Sequence, residues 1–332
     1  MLINLYLIGG LFLGWSLGRN NLSNLFGAAI FTRMVNPKTA TFIAIIFVVL
    51  GAIFGGSGTT SSMLELARVH TMADAFIISI SAGLVLWGMT YRGIPVSIAQ
   101  ASVGAVVAWS IFYNAPGNAY QLQKIVLAWI YSPFLAALVA FAVFKIMRVG
   151  LKWYPMPLLY KDLFMRAGLV VTGAFSAYAL GANNVASISA PYFLASSLSE
   201  LSITVLVCIS IGAGFLVADT KVIKTMGSGL FPLSPMEALI VVFSGALTLF
   251  LFSFNGLRLF LGQYGLPSFP MVPIPISSAT IGAIVGVSLA KGGYGLKYSM
   301  LGNIAVSWTA SPVISGLICW GILTIVSFMG GL

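Results

Sequence analysis

The chain is predicted to be an all-α membrane protein, a polytopic helical bundle with two inverted-topology repeats, broken helices and possible re-entrant hairpins. Three observations predict this class. Of 332 residues 59% are hydrophobic and only 7% charged, with mean hydropathy +1.04; a soluble domain carries roughly 25% charged residues to clothe its surface. Apolar stretches long enough to cross a hydrocarbon core of about 30 Å recur from end to end. Three short motifs also recur in the same order in both halves.

Five apolar segments are expected in each half, over 2–31, 37–56, 73–91, 94–112 and 122–146, then 163–196, 201–218, 236–256, 273–290 and 298–328. The first and sixth are long and carry Gly and Asn at their centres, which predicts discontinuous helices of the kind that line transport sites. The segments near 95 and 275 are short, and either a full span or a re-entrant hairpin fits them. Between the halves, Lys145, Arg148, Lys152, Lys161 and Arg166 face a single acid, Asp162, and Pro155 and Pro157 mark a non-helical connection. The boundaries that follow are a first membrane repeat at 1–146, a basic linker at 147–162 and a second repeat at 163–332. The charge of the linker places it in the cytoplasm and the amino terminus outside. Arg33, Lys38, Arg92, Lys291 and Lys297 then fall inside, and Glu65 and Glu200 outside. With an odd number of spans in each half, the repeats enter the bilayer in opposite directions.

The duplication is visible in letters. Trp129-Ile130-Tyr131-Ser132-Pro133 is echoed by Trp308-Thr309-Ala310-Ser311-Pro312. Pro95-Val96-Ser97 is echoed by Pro275-Ile276-Ser277, and Gly104-Ala105-Val106-Val107 by Gly282-Ala283-Ile284-Val285. The net charge of +10 is spread over loops, which fits the positive-inside rule and not a nucleic-acid surface. Cys208 and Cys319 lie within apolar segments and read as inert thiols. The first apolar stretch lacks a basic n-region and reads as a retained span. The chain has one His, His70, and its six acids (Glu65, Asp74, Asp162, Glu200, Asp219 and Glu237) fall at loops or segment ends. A membrane-embedded enzyme would need a Ser-Lys or Ser-His pair, twin aspartates or a His-Glu-x-x-His metal motif, and the single His and lack of mid-membrane acids argue against each.

The candidate site rests on two Asn-Asn pairs 163 residues apart, within Gly18-Arg19-Asn20-Asn21-Leu22-Ser23-Asn24 and Gly181-Ala182-Asn183-Asn184-Val185-Ala186-Ser187. An amide in hydrocarbon must find a partner or cost several kcal/mol. Its partner is either a neighbouring helix, the usual case for a lone Asn, or a polar ligand, which duplication favours. Pro95 and Pro275 are expected in the first turn of a helix, where free backbone N–H groups and the dipole make an anion site. Ser97, Ser277 and Ser278 would add hydroxyl donors or act simply as N-caps. Arg19 serves either as a bidentate anion ligand or as a structural cation. Gln100 belongs either to the site or to packing. Trp129 and Trp308 read as packing or interface anchors, and Lys221 and Lys224 as loop residues before gate residues.

These motifs resemble the inorganic phosphate transporter family, the sodium- or proton-coupled phosphate permeases. The family's duplicated G-A-N-D-V-A-N is matched by Gly18 to Asn24 and by Gly181 to Ser187. Its P-V-S-T-T-H is matched by Pro95 to Gln100 and by Pro275-Ile276-Ser277-Ser278-Ala279-Thr280. Asp219 to Gly227 and Trp308 to Gly316 also look like family segments. The resemblance implies a secondary transporter, working by alternating access, with phosphate as substrate. It implies no cofactor beyond a coupling ion, Na⁺ or H⁺, and admits a homodimer in a prokaryotic-type inner membrane. It points to Arg19, Asn20, Asn21, Ser97, Gln100, Asn183, Asn184, Ser277, Ser278 and Thr280 as substrate or ion ligands, with Na⁺ at Asn21 and Asn184. The chain departs from the family where Asn21 and Asn184 replace Asp, Arg19 replaces a small residue, and Ala99 and Ala279 replace hydroxyls. The site is then up to three charge units more positive, which suits a dianion with less help from a cation. Sulfate permeases with an altered motif are relatives of the family, and sulfate is the alternative substrate. A passive anion channel is the remaining alternative.

Overall fold

Helix starts are set by short polar side chains placed just before apolar runs. In the computed structural model, which describes residues 2–66, 68–115, 117–153 and 157–329, Asn36, Thr71, Ser97, Ser199 and Ser234 each accept a backbone N–H in the first turn of the helix that follows. Ser234 and Glu237 form a reciprocal capping box. The first half folds as α1 (Leu2–Phe31), α2 (Pro37–Gly55), α3 (Ser57–Leu66), α4 (Met72–Tyr91), α5 (Ile98–Phe112) and α6 (Ala119–Trp153). The second folds as α7 (Leu158–Asn184), α8 (Ala186–Phe193), α9 (Glu200–Leu216), α10 (Thr220–Lys224) with a π-helical turn at Thr225–Gly229, α11 (Pro235–Leu251), α12 (Asn255–Gln263), α13 (Ile276–Ala290) and α14 (Tyr298–Phe328). There is no strand among the described residues. Among the described residues five helical stretches are long and apolar enough to cross a membrane, α7 with α8 counting as one, or six if the bent α11–α12 pair is one span, whereas α5, α9 and α13 have only 15, 17 and 15 residues.

Helix pairing repeats across the halves. The α1–α4 contact has its counterpart in α7–α11, α2–α7 in α9–α1, and α6–α13 in α14–α5. Glycine permits the closest crossings. A Cβ on Gly214 would overlap the carbonyl of Trp15, and one on Gly51 the carbonyl of Tyr178. Likewise Gly104 sits on the Pro312 carbonyl and Gly282 on that of Pro133. The Trp-x-x-Ser-Pro motif has a backbone reason. Proline denies the Trp carbonyl its usual donor, and the Ser132 and Ser311 hydroxyls turn toward the Trp129 and Trp308 carbonyls, at 3.5 and 3.4 Å.

Several expectations are corrected. The first segment is not broken: α1 runs unbroken from Leu2 to Phe31, its Asn20 bonding sideways to Thr90 and Ile94 and its Asn24 bonding Asn21 side chain to side chain, so neither takes a bond from the helical ladder. The sixth is interrupted, at Val185 between α7 and α8. The interruptions that the sequence hid fall after Gly55 and after Leu216. Pro95 and Pro275 are not in a first turn. Ser97 caps α5 and Pro275 itself caps α13, so the prolines end an extended approach to each helix. Within 147–162, α6 runs to Trp153 and α7 begins at Leu158; Pro155 lies outside the described residues.

The short segments near 95 and 275 belong to helical hairpins. In hairpin 1 (α4–α5) the Tyr113 hydroxyl donates to Asp74 at 3.2 Å, so both ends lie together. Burial first, and then the adjacent Asp74 carboxylate, push the Tyr113 phenol up to about 12, which keeps it a donor at ordinary pH. In hairpin 2 (α11–α13) the equivalent clasp is Lys291 to Glu237 at 2.7 Å. Phe76 of hairpin 1 packs on Tyr6, near the amino end of α1. Gly168 of α7 meets Leu239 of hairpin 2, and Arg166 donates to the carbonyls of Arg33 and Met34, just past the carboxyl end of α1. The hairpins therefore open at opposite ends of α1.

Candidate functional site

The signature helices α1 and α7–α8 lie antiparallel, with Gly10 against Tyr192 and Gly173 against Phe26. This sets Asn20-Asn21 and Asn183-Asn184 opposite one another midway along the crossing. All four side chains are buried. The two hairpin tips meet them there.

The first Asn of each pair is a pin. Asn20 donates from Nδ2 to Thr90 Oγ1 (2.8 Å) and to the carbonyl of Ile94 (3.4 Å). Asn183 donates to the carbonyl of Val272 (3.1 Å) and accepts the N–H of Ile274 at Oδ1 (2.8 Å). Each thus fixes the extended strand of chain that delivers a hairpin's second helix, 94–97 into α5 and 272–275 into α13. The second Asn is freer. Asn21 Oδ1 accepts from Asn24 (2.6 Å) and leaves Nδ2 without a partner among the described residues. Asn184 donates to Asn183 at 3.3 Å and leaves Oδ1 unpaired. Asn24 Oδ1, Gln100 Oε1 and the hydroxyls of Ser187, Ser277 and Ser278 are likewise buried without a partner among the described residues. Such groups normally find partners, and their concentration at the two signature segments and two helix starts is what a polar ligand would satisfy.

Not every expected ligand is free. Ser97 accepts the Gln100 N–H at 3.3 Å as the α5 N-cap, and Thr280 donates to the Ile276 carbonyl at 2.9 Å within α13. No side chain caps α13, so its first turn keeps free N–H groups beside Ser277 and Ser278. Arg19 points elsewhere. Its guanidinium pairs with Asp219 at 3.2 Å and stacks over Trp15 at 5.0 Å, while its carbonyl accepts the Asp219 N–H. Its charge is thereby compensated, and the pocket gains two charge units relative to the family motif rather than three. Sequence reasoning missed Asp219 as this partner, as well as Thr90 and Thr59. Thr59 donates to the Ala182 carbonyl at 2.8 Å. Asn24 and Ser187, which close the same heptapeptides, also present buried oxygens without a partner among the described residues.

Against known proteins, the model of the phosphate transporter family matches residues 17–164 and 158–259. The chain belongs to that family. It is therefore an integral, multi-pass membrane protein, and members of the phosphate transporter family are permeases, not enzymes. A candidate phosphate permease of Methanocaldococcus jannaschii is 26% identical over 95% of this chain and 95% of its own length. The sulfate permease CysP of Bacillus subtilis is 26% identical over 92% of this chain and 82% of its own. A solved structure described as the sodium-dependent phosphate transporter superposes with a TM-score of 0.75 at 21% identity, covering 98% of this chain and all of that one. That likeness shows the fold.

Proposed function

We propose that this family member carries a tetrahedral inorganic oxyanion, phosphate first and sulfate second, by alternating access about the paired Asn site. One observation carries the reading. Two hairpin tips reach the same antiparallel crossing from opposite ends, each pinned by a buried Asn, and unpaired donors remain around them. Ser277, Ser278, Asn21 Nδ2 and the open first turn of α13 supply hydrogen-bond donors, and no acid of this chain faces them among the hydrogen bonds described. Such a set fits a dianion stripped of water.

The free amide oxygens of Asn184, Asn24 and Gln100 are hard donors that fit a sodium ion. They bring no negative charge, so cation and anion must neutralise each other when both bind. This supports sodium as a coupling ion that binds weakly without the anion. Proton coupling would instead use the substrate's own protonation, because among the hydrogen bonds described no carboxylate reaches the paired Asn side chains, and the nearby Asp219 is paired with Arg19. The membrane orientation that suits the charges puts the linker inside and the repeats in inverted topology.

Uptake of labelled phosphate and labelled sulfate into proteoliposomes, with Na⁺ and pH gradients varied independently, tests the proposal. Saturable accumulation of one anion, competed by the other and showing counterflow, is expected. Failure to accumulate either, or currents through single open channels, refutes it.

A further inference from the structure

The two halves match in sequence but differ in what holds their hairpin tips. Gly93 and Pro273 occupy equivalent places, two residues before Pro95 and Pro275. The Pro273 carbonyl accepts the indole N–H of Trp129 on α6 at 3.0 Å. The motif equivalent of Trp129 is Trp308 on α14, whose Nε1 is buried and has no partner among the described residues. The Gly93 carbonyl that Trp308 would be expected to hold is bonded instead to the Thr225 hydroxyl at 3.0 Å. Beside it, Lys221 reaches the Tyr91 carbonyl at 3.2 Å and lies 4.9 Å over the Tyr91 ring.

The place equivalent to Lys221 in the first half is Gly58, with the same spacing that separates Asn20 from Asn183. Gly58 has no side chain with which to reach hairpin 2; the Met271 side chain lies against it. A cavity of about 540 Å³ opens there, lined by Gly58, Glu65, Lys124, Arg258 and Met271 and reaching Val272. Val272 is the residue whose carbonyl Asn183 holds. The cavity thus opens at the α3 end, whereas at the α10 end Lys221 and Thr225 bond hairpin 1.

We propose that Trp129 and Trp308 are positioning residues of the transport cycle, each holding one hairpin tip in one of two alternate states. In the state seen, hairpin 2 is docked on Trp129, and hairpin 1 is latched to α10 by Lys221 and Thr225. In the opposite state the Lys221–Tyr91 and Thr225–Gly93 bonds are broken, and the Gly93 carbonyl accepts the Trp308 indole N–H. One buried hydrogen bond replaces another, so the carbonyl is satisfied on both sides of the exchange. The proposal rests on the transporter reading, but its test needs no substrate.

Full-length protein with Cys208→Ala and Cys319→Ala carries one reporter cysteine at a time and is labelled with a membrane-impermeant maleimide applied to either side. Ser57→Cys reports the α3 end. Ser23→Cys reports the α10 end, where the adjoining Gly27 packs against Met226 and Ile223. Adding Lys221→Ala with Thr225→Val is expected to raise Ser23→Cys labelling at least fivefold and to slow Ser57→Cys. Trp308→Phe, which keeps the ring and loses the N–H, is expected to reverse that gain. Trp129→Phe in the parent is expected to raise Ser23→Cys labelling. Labelling rates within twofold of the parent in the latch variant, or a latch effect that Trp308→Phe leaves untouched, would overturn the proposal. Absent uptake with these shifts present would instead count against the substrate assignment.

Discussion

Replacing Asn183 by alanine removes three hydrogen bonds from a fully buried position: the 3.3 Å bond from Asn184 and, to the backbone, the 3.1 Å bond to the Val272 carbonyl and the 2.8 Å bond from the Ile274 N–H. Both backbone groups are then left unpaired in the interior, at roughly 1–3 kcal/mol each, so the variant should lose about 2–6 kcal/mol. Asn184 makes a single 3.3 Å bond and already leaves its oxygen unsatisfied; Asn184→Ala should cost about 1 kcal/mol or less. Function should divide the other way. Asn184→Ala is expected to abolish anion uptake in a protein that melts near wild type, because it loses a ligand. Asn183→Ala is expected to lose uptake together with thermal stability, because the entry to α13 comes loose. Thermal unfolding in detergent, read by intrinsic fluorescence on purified protein, measures one half, and proteoliposome uptake measures the other. Equal melting of the two variants, or wild-type uptake by Asn184→Ala, would refute this division into pin and ligand.

Arg19→Ala should destabilise the α1–α9–α10 junction by about 1–2 kcal/mol, since it strands a half-buried Asp219. Asp219→Ala added to it should recover part of that loss in a double-mutant thermal cycle. Gly282→Ala should abolish correctly assembled protein, because its Cβ would overlap the Pro133 carbonyl, whereas Gly321→Ala, with open space around it, should be silent in size-exclusion profiles. Asn21→Asp with Asn184→Asp should make uptake more dependent on sodium, because carboxylates replace amides around any cation; an unchanged sodium profile would count against the charge argument.

The repeat, the helix positions and the polar heptapeptides were legible because each leaves a local mark. Hydropathy shows where chain is apolar, and Trp129-to-Pro133 with its echo shows duplication. Long-range partners leave no such mark. Nothing beside Arg19 in sequence names Asp219, 200 positions away, and without that pair its charge looks available to a ligand. The Asn pairs read as four equivalent amides, yet the partners that divide them into pins and free groups, Ile94 and Val272, lie in segments whose return into the bundle depends on tertiary packing. Breaks were expected at the glycines and asparagines of the first segment, but α1 is continuous because Thr90 and Asn24 absorb the amide bonding there. The break went instead to Gly55-Gly56, where the letters alone suggest only the end of a helix.

The seams at Gly104 and Gly282 bear on biogenesis. Each glycine seats its hairpin on the proline-bearing helix of the opposite repeat, α5 on α14 and α13 on α6. The ribosome emits α14 long after α5, so the seam at Gly104 closes only once α14 has been made. A chain truncated before residue 298 would leave hairpin 1 without the helix on which Gly104 seats it.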